Sequence, residues 1–147
     1  MTADGPRPNP CPSCPYRRDC PSGVWAAEEY DKLPSYDGPI HEQAMAGGTA
    51  PFGCHQADGH LCSGWVAHRD PAELLAVRLG LLNGSVDPAT LDYTTDVPLF
   101  GSGAEAAAHG KRDIDAPSAA ARDTVRKVVT VRAVRGEPVR FHGEDPN

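Results

Sequence analysis

Nowhere in this sequence do apolar residues run for the roughly 20 positions a membrane-spanning helix needs, and residues 1–10 hold no apolar run of the kind a secretory leader carries. A cytoplasmic location is therefore the expectation. Aromatic residues make up only 6% of the chain, so few large rings are available for its core. The sequence has no G-x-S-x-G, no phosphate-binding loop, no H-E-x-x-H and no Rossmann glycine pattern, so no catalytic residue is assigned and the reading leans away from an enzyme. There is no internal repeat, which excludes a solenoid. An even cysteine count is missing as well: five cysteines leave one unpaired, and in a reducing cytosol they argue for metal ligation or redox chemistry over a disulfide framework.

Positive charge is also sparse, with 14 Lys and Arg against 20 Asp and Glu. Residues 1–121 carry 8 basic and 16 acidic side chains, whereas residues 122–147 carry 6 and 4. The body thus offers no electrostatic footprint for nucleic acid. Only the tail, through Arg122, Arg126, Lys127, Arg132, Arg135 and Arg140, is equipped to reach phosphates or a protein partner within residues 122–140, and a solvated charged face is the plainer reading.

Glycine and proline, 15 of each, are abundant, and they predict short elements joined by turns and long loops. Residues 1–10 read as a flexible lead-in. A short helix is predicted from near Ser22 to just before Pro34, with Trp25 and Leu33 as core contacts, and no more than a turn of helix around His41 to Ala46. Asp70-Pro71-Ala72-Glu73 reads as a helix start, with Asp70 as cap and Glu73 reaching back to it; Asn83-Gly84 reads as its stop. Between them Leu74, Leu75, Val77, Leu79 and Leu82 form an apolar stripe at helical spacing. Another helix is predicted from Glu105 to His109, with Ser102 or Gly103 to begin it and Gly110 to end it, after a short edge strand at 97–100. From Pro117 to Phe141 the pattern opens as helix and then fills with β-branched residues, leaving helix and strand both open.

The chemistry lies in the cysteines. Cys11-Pro12-Ser13-Cys14 is a C-x-x-C step, whose tight turn aims two sulfurs at one point. Cys54 and Cys62 provide a second pair, separated by seven residues. Four thiolates suit tetrahedral zinc or an iron–sulfur cluster; the Cys14-Pro15 step and the wide second spacing tilt the reading toward a [4Fe–4S] centre. Arg17 and Arg18 are placed to offset the negative charge of such a centre or to donate to sulfur. Trp65 is expected to pack over the metal loop and exclude solvent. His55 is expected to take a hydrogen-bonding or packing role, since adjacent residues seldom ligate one ion. Cys20 reads as a spare thiol, with a substitute ligand or a redox partner as the alternatives.

Taken together, the segments Cys11-Pro-Ser-Cys14-Pro15-Tyr16-Arg17, Pro21-Ser-Gly23-Val-Trp25, Phe52-Gly-Cys54-His55 and Cys62-Ser-Gly64-Trp65 resemble an uncharacterised family found in actinobacteria and their phages. The likeness runs over roughly residues 11–117. It implies that Cys11, Cys14, Cys54 and Cys62 are the common set, with His55 beside them, and it implies no activity. Cys20 and the tail after residue 117 depart from it. The resulting expectation is a small, loop-rich α or α+β domain over residues 11–117, stapled by one metal and followed by a basic extension over 118–147.

Overall fold

Because glycine and proline interrupt the chain so often, its elements are short. The computed structural model describes residues 4–54 and 59–135. It contains strands β1 (Asp4–Pro6) and β2 (His60–Leu61) and helices α1 (Ala27–Asp31), α2 (Ile40–Ala46), α3 (Ser63–Ala67), α4 (Leu75–Leu82), α5 (Gly103–Lys111) and α6 (Ala119–Arg135). Turns of 3-10 helix lie at Leu33–Tyr36, Pro71–Glu73 and Pro88–Asp92. This is a small, mainly helical α+β arrangement. Its two strands are parallel, with Asp4 opposite His60 and Pro6 opposite Leu61. Among the described residues no helix is long and apolar enough to cross a membrane.

Residues 4–8 of the lead-in are tied down rather than free. β1 pairs with β2, the Ser63 hydroxyl donates to the Arg7 carbonyl at 2.6 Å, and the Tyr93 hydroxyl donates to the Pro8 carbonyl at 3.1 Å. Partners far along the chain supply these bonds, which local composition cannot reveal.

The first helix starts later than its sequence predicts. The Ser22 hydroxyl donates to the Gly110 carbonyl and accepts from the Asp113 N–H, so it is not available to cap. The N–H groups of Val24 and Trp25 instead donate to the Tyr30 hydroxyl, and Trp25 and Leu33 are buried as expected.

The segment 71–82 is broken into two pieces. Asp70 does cap, accepting the Ala72 N–H at 3.0 Å, but Glu73 pairs with Arg69 instead of reaching back. Leu74 is extended, and α4 begins after it with the Leu75 N–H donated to the buried Gln43 side chain. That amide also donates to the Gly38 and Glu73 carbonyls, so one α2 side chain settles the polar groups of the break. The buried face of α4 is Ala76, Val77 and Gly80, whereas Leu82 is 86% exposed. The predicted leucine stripe is therefore only partly right, because the break rotates the second piece relative to the first.

Two further boundaries differ. Residues 97–100 form only an isolated bridge, Leu99 opposite Arg17. The last ambiguity resolves to helix, at least through Arg135: Ala121, Val125, Val128 and Arg132 repeat at helical spacing along α6 and turn their side chains inward. α6 packs into the main core, so the sequence boundary at residue 117 does not separate it from the domain.

α5 is capped by Ser102, as predicted, and also by Asp37, whose carboxylate accepts the N–H groups of Gly103 and Ala104 at 2.6 and 2.8 Å. Gly110 does not end this helix. It lies within it, where the Tyr30 ring occupies the space a β-carbon would need. Gly→Ala inside a helix ordinarily stabilises by about 1 kcal/mol. Here Gly110→Ala is expected to destabilise by roughly 1–3 kcal/mol through overpacking, read as a lower midpoint in urea denaturation.

Aromatic rings, though few, are concentrated. Of the nine in the sequence, Tyr16, Trp25, Tyr30, Tyr36, Phe52 and Trp65 are all in the core. Tyr36 makes edge contacts with both Phe52 and Trp65, at 6.0 and 5.1 Å between centroids. Three of these six, Tyr16, Phe52 and Trp65, lie within three residues of a cysteine of the two segments, so the core is built around those segments.

Candidate metal centre

The first cysteine pair is set by consecutive turns. The Cys14 N–H returns to the Cys11 carbonyl at 2.9 Å, and the Arg17 N–H to the Cys14 carbonyl at 3.0 Å. The Trp25 indole N–H donates to the Ser13 carbonyl at 2.7 Å, which fixes the middle of the C-x-x-C step to the core.

A small antiparallel pairing carries the second pair. Gly53 lies opposite Leu61, the Cys54 N–H donates to the His60 carbonyl, and the Cys62 N–H donates to the Phe52 carbonyl, both at 2.9 Å. Cys54 and Cys62 therefore flank the Gly53–Leu61 bridge, one on each segment, despite their separation in sequence. Cys62 also opens α3, where its sulfur accepts the Trp65 N–H at 3.4 Å. Gly64, in the first turn of α3, is a geometric requirement: Cys14 Sγ occupies the place where its β-carbon would be.

These two supports bring four sulfurs to one place. Cys11 Sγ is 3.4 Å from Cys54 Sγ, and Cys14 Sγ is 3.6 Å from Cys62 Sγ. Together with Ser13, Pro15 and Ser63 they line a void of about 10 Å³, on the order of one water or ion. Among the described residues, no group of three or more His, Cys, Asp or Glu side chains already stands in a metal-ligating arrangement. The sulfurs stand instead as two close pairs.

The bonds between sulfurs shift their titration. The bond from Cys62, with the backbone N–H groups of Tyr16 and Gly64 beside it, holds the Cys14 thiol below its ordinary pKa despite burial. Cys62 is driven well above its own by that same bond and by burial. Cys11 is likewise raised, first by its bond to Cys54 and then by burial.

Arg17 forks onto Asp19 and donates to the Pro10 carbonyl at 3.0 Å, bracing the entry to Cys11. Arg18 donates to the Leu99 carbonyl and lies over the Phe100 ring, 5.1 Å from its centroid. Among the described residues, the cation that donates to sulfur is Arg7, 3.7 Å from Cys11 Sγ. Sequence reasoning missed it because it lies in the lead-in, ahead of the motif. Trp65 is fully buried and packs on Tyr36. His55 lies outside the described residues. Cys20 is buried among core residues, and burial pushes its thiol up to about 12. That environment suits an inert packing thiol.

In the tail, Arg132 is buried, Arg126 and Lys127 pair with Asp123, and Arg122 bonds the Pro117 carbonyl. Arg140 and the rest of 136–147 lie outside the described residues.

Beside the cysteine segments, His68 is buried, stacks on Tyr16 at 4.4 Å and meets the Trp65 carbonyl through Nδ1. Burial lowers its pKa from 6.5 to about 4. Below pH 6.5 the unfolded chain takes up a proton that the folded one refuses, so stability present above pH 6.5 is lost as pH falls toward 4, by up to ~3 kcal/mol. Denaturation at pH 7 and pH 4.5 should therefore show a smaller loss on acidification for His68→Gln than for the wild type; equal losses would contradict this assignment.

The fold and site thus define a small α+β domain with four cysteines facing one buried void. The chain belongs to DUF6283, a family of unknown function whose match spans residues 6–132. That match begins ahead of Cys11 and continues past residue 117 through most of α6. No curated protein and no solved structure matches the chain.

Proposed function

We propose that this is a small cytosolic metal-binding protein with one centre held by Cys11, Cys14, Cys54 and Cys62, structural in its first role and suited to sensing metal supply or redox state. The single observation that carries the reading is that sulfurs from two distant segments line one void of about 10 Å³. The donor set fits such a group: thiolates are the ligands of structural zinc and of iron–sulfur centres, and the N–H groups of Tyr16, Gly64 and Trp65 supply the hydrogen bonds such thiolates need. Closing four ligands on one ion needs the two pairs to draw together.

Distances favour zinc over the [4Fe–4S] centre toward which the sequence leans. A zinc–sulfur bond of about 2.3 Å implies about 3.8 Å between tetrahedral sulfurs, close to the 3.4 and 3.6 Å within the pairs. In a four-iron cluster each sulfur binds a different iron, which holds the sulfurs farther apart and needs a larger cavity. A metal would replace part of the core that a chain this size lacks. The rival reading, an iron–sulfur electron carrier or redox enzyme, requires a reversible one-electron step. Anaerobic purification, metal analysis and a visible spectrum separate them: colourless protein with one zinc is expected, brown protein with iron and sulfide would favour the rival, and protein free of metal would end both. Nucleic-acid binding through the tail is the remaining alternative; it requires salt-sensitive binding that vanishes when the exposed Arg122, Arg126 and Lys127 are replaced by Gln.

A further inference from the structure

The same four sulfurs support a second kind of chemistry, which rests on their pairing and not on any metal. Each short separation joins the first segment to the second: Cys11 with Cys54 and Cys14 with Cys62. The turn of the C-x-x-C step sets Cys11 and Cys14 so that each sulfur meets one from the second segment. Cys11 is partly exposed, whereas Cys14 and Cys62 are buried. Cys20, the fifth thiol, bonds only the Pro21 carbonyl among the contacts of its sulfur.

From this pairing we infer that Cys11–Cys54 and Cys14–Cys62 form a two-disulfide redox site in the metal-free protein, with hydroperoxides as the oxidant class. The balance closes for each pair. One sulfur takes an oxygen from the hydroperoxide, which leaves as alcohol or water, and becomes a sulfenic acid. The partner sulfur attacks it and expels water, so two thiols and one hydroperoxide give one disulfide, one alcohol (or water) and one water. Two electrons leave each pair and reduce one O–O bond. The Cys11–Cys54 pair reacts first because Cys11 gives solvent access to it. The product ties the same two segments a metal would tie, so the fold exchanges one staple for another.

The test uses the full-length protein, stripped with a chelator under reducing conditions and then treated anaerobically with hydrogen peroxide at two equivalents. Free thiols are alkylated, and the unreduced protein is digested with trypsin and mapped by mass spectrometry. Cleavage after Arg17, Lys32 and Arg69 places Cys11 and Cys14 on one peptide and Cys54 and Cys62 on another. The expected product is those two peptides joined, with Cys20 alkylated. The double variant Cys14→Ser/Cys62→Ser should still form one link between them, and Cys11→Ser/Cys62→Ser, which leaves one member of each pair, should form it at least tenfold more slowly. Unlinked peptides carrying a Cys11–Cys14 disulfide, a link involving Cys20, or no disulfide at all would overturn the inference. Oxidised metal-free protein should also melt roughly 10 °C above its reduced form. Because the metal is removed beforehand, failure here leaves the metal reading standing, and failure of the metal reading leaves this test intact.

Discussion

Cys62→Ser is expected to abolish stoichiometric metal binding and to lower the melting temperature steeply. Cys62 carries three duties: it faces the void, its sulfur is 3.6 Å from Cys14 Sγ, and it accepts the N–H that opens α3. A structural zinc site contributes about 10 kcal/mol or more to folding in small domains, against a net stability of about 5–15 kcal/mol for a typical one. Loss of one ligand therefore removes a large share of what holds the domain closed. Cys20→Ala provides the contrast: it truncates a buried side chain by one atom, should cost about 1 kcal/mol, and should leave metal content unchanged. Metal analysis and circular dichroism on the two variants read both outcomes. If Cys62→Ser retained metal and an unchanged melting temperature, the four-sulfur centre would be wrong.

Gly64→Ala should be nearly as damaging, although it removes no ligand. Its new methyl group would overlap Cys14 Sγ and press on Tyr16 Cβ, at 3.1 Å. Overpacking of this kind costs about 1–3 kcal/mol by itself, and displacing the Cys14 sulfur adds weaker metal binding. The expected result is a metal affinity lowered by at least tenfold together with a lower melting temperature. Alanine has the higher helix propensity, so unchanged or increased stability would show that α3 does not pack on Cys14 as described.

How much of this was legible from the sequence depends on how local each cause is. The four cysteines were legible because residue type and C-x-x-C spacing carry the signal directly. Asp70 and Ser102 were legible as caps because a capping side chain acts within three residues of itself. Asp37, capping α5 from 66 residues away at Gly103, was not. Gln43, whose buried amide opens α4, was invisible for the same reason. The leucine stripe of 74–82 misled because helical periodicity assumes an unbroken helix, and Leu74 is extended. Gly110 misled because glycine reads as a helix stop, whereas here the Tyr30 ring demands it within the helix. Arg7, the cation at Cys11, lies outside the motif that drew attention to Arg17 and Arg18. Local rules located the chemistry, and tertiary contacts decided the boundaries around it.

X-ray absorption at the metal edge, on protein purified without added metal, tests the central claim most directly because it counts the ligand atoms. The expected result is one zinc per chain with a shell of four sulfurs at about 2.3 Å, falling to three or fewer in Cys11→Ser. A shell dominated by oxygen or nitrogen, or a chain without stoichiometric metal, would contradict the account.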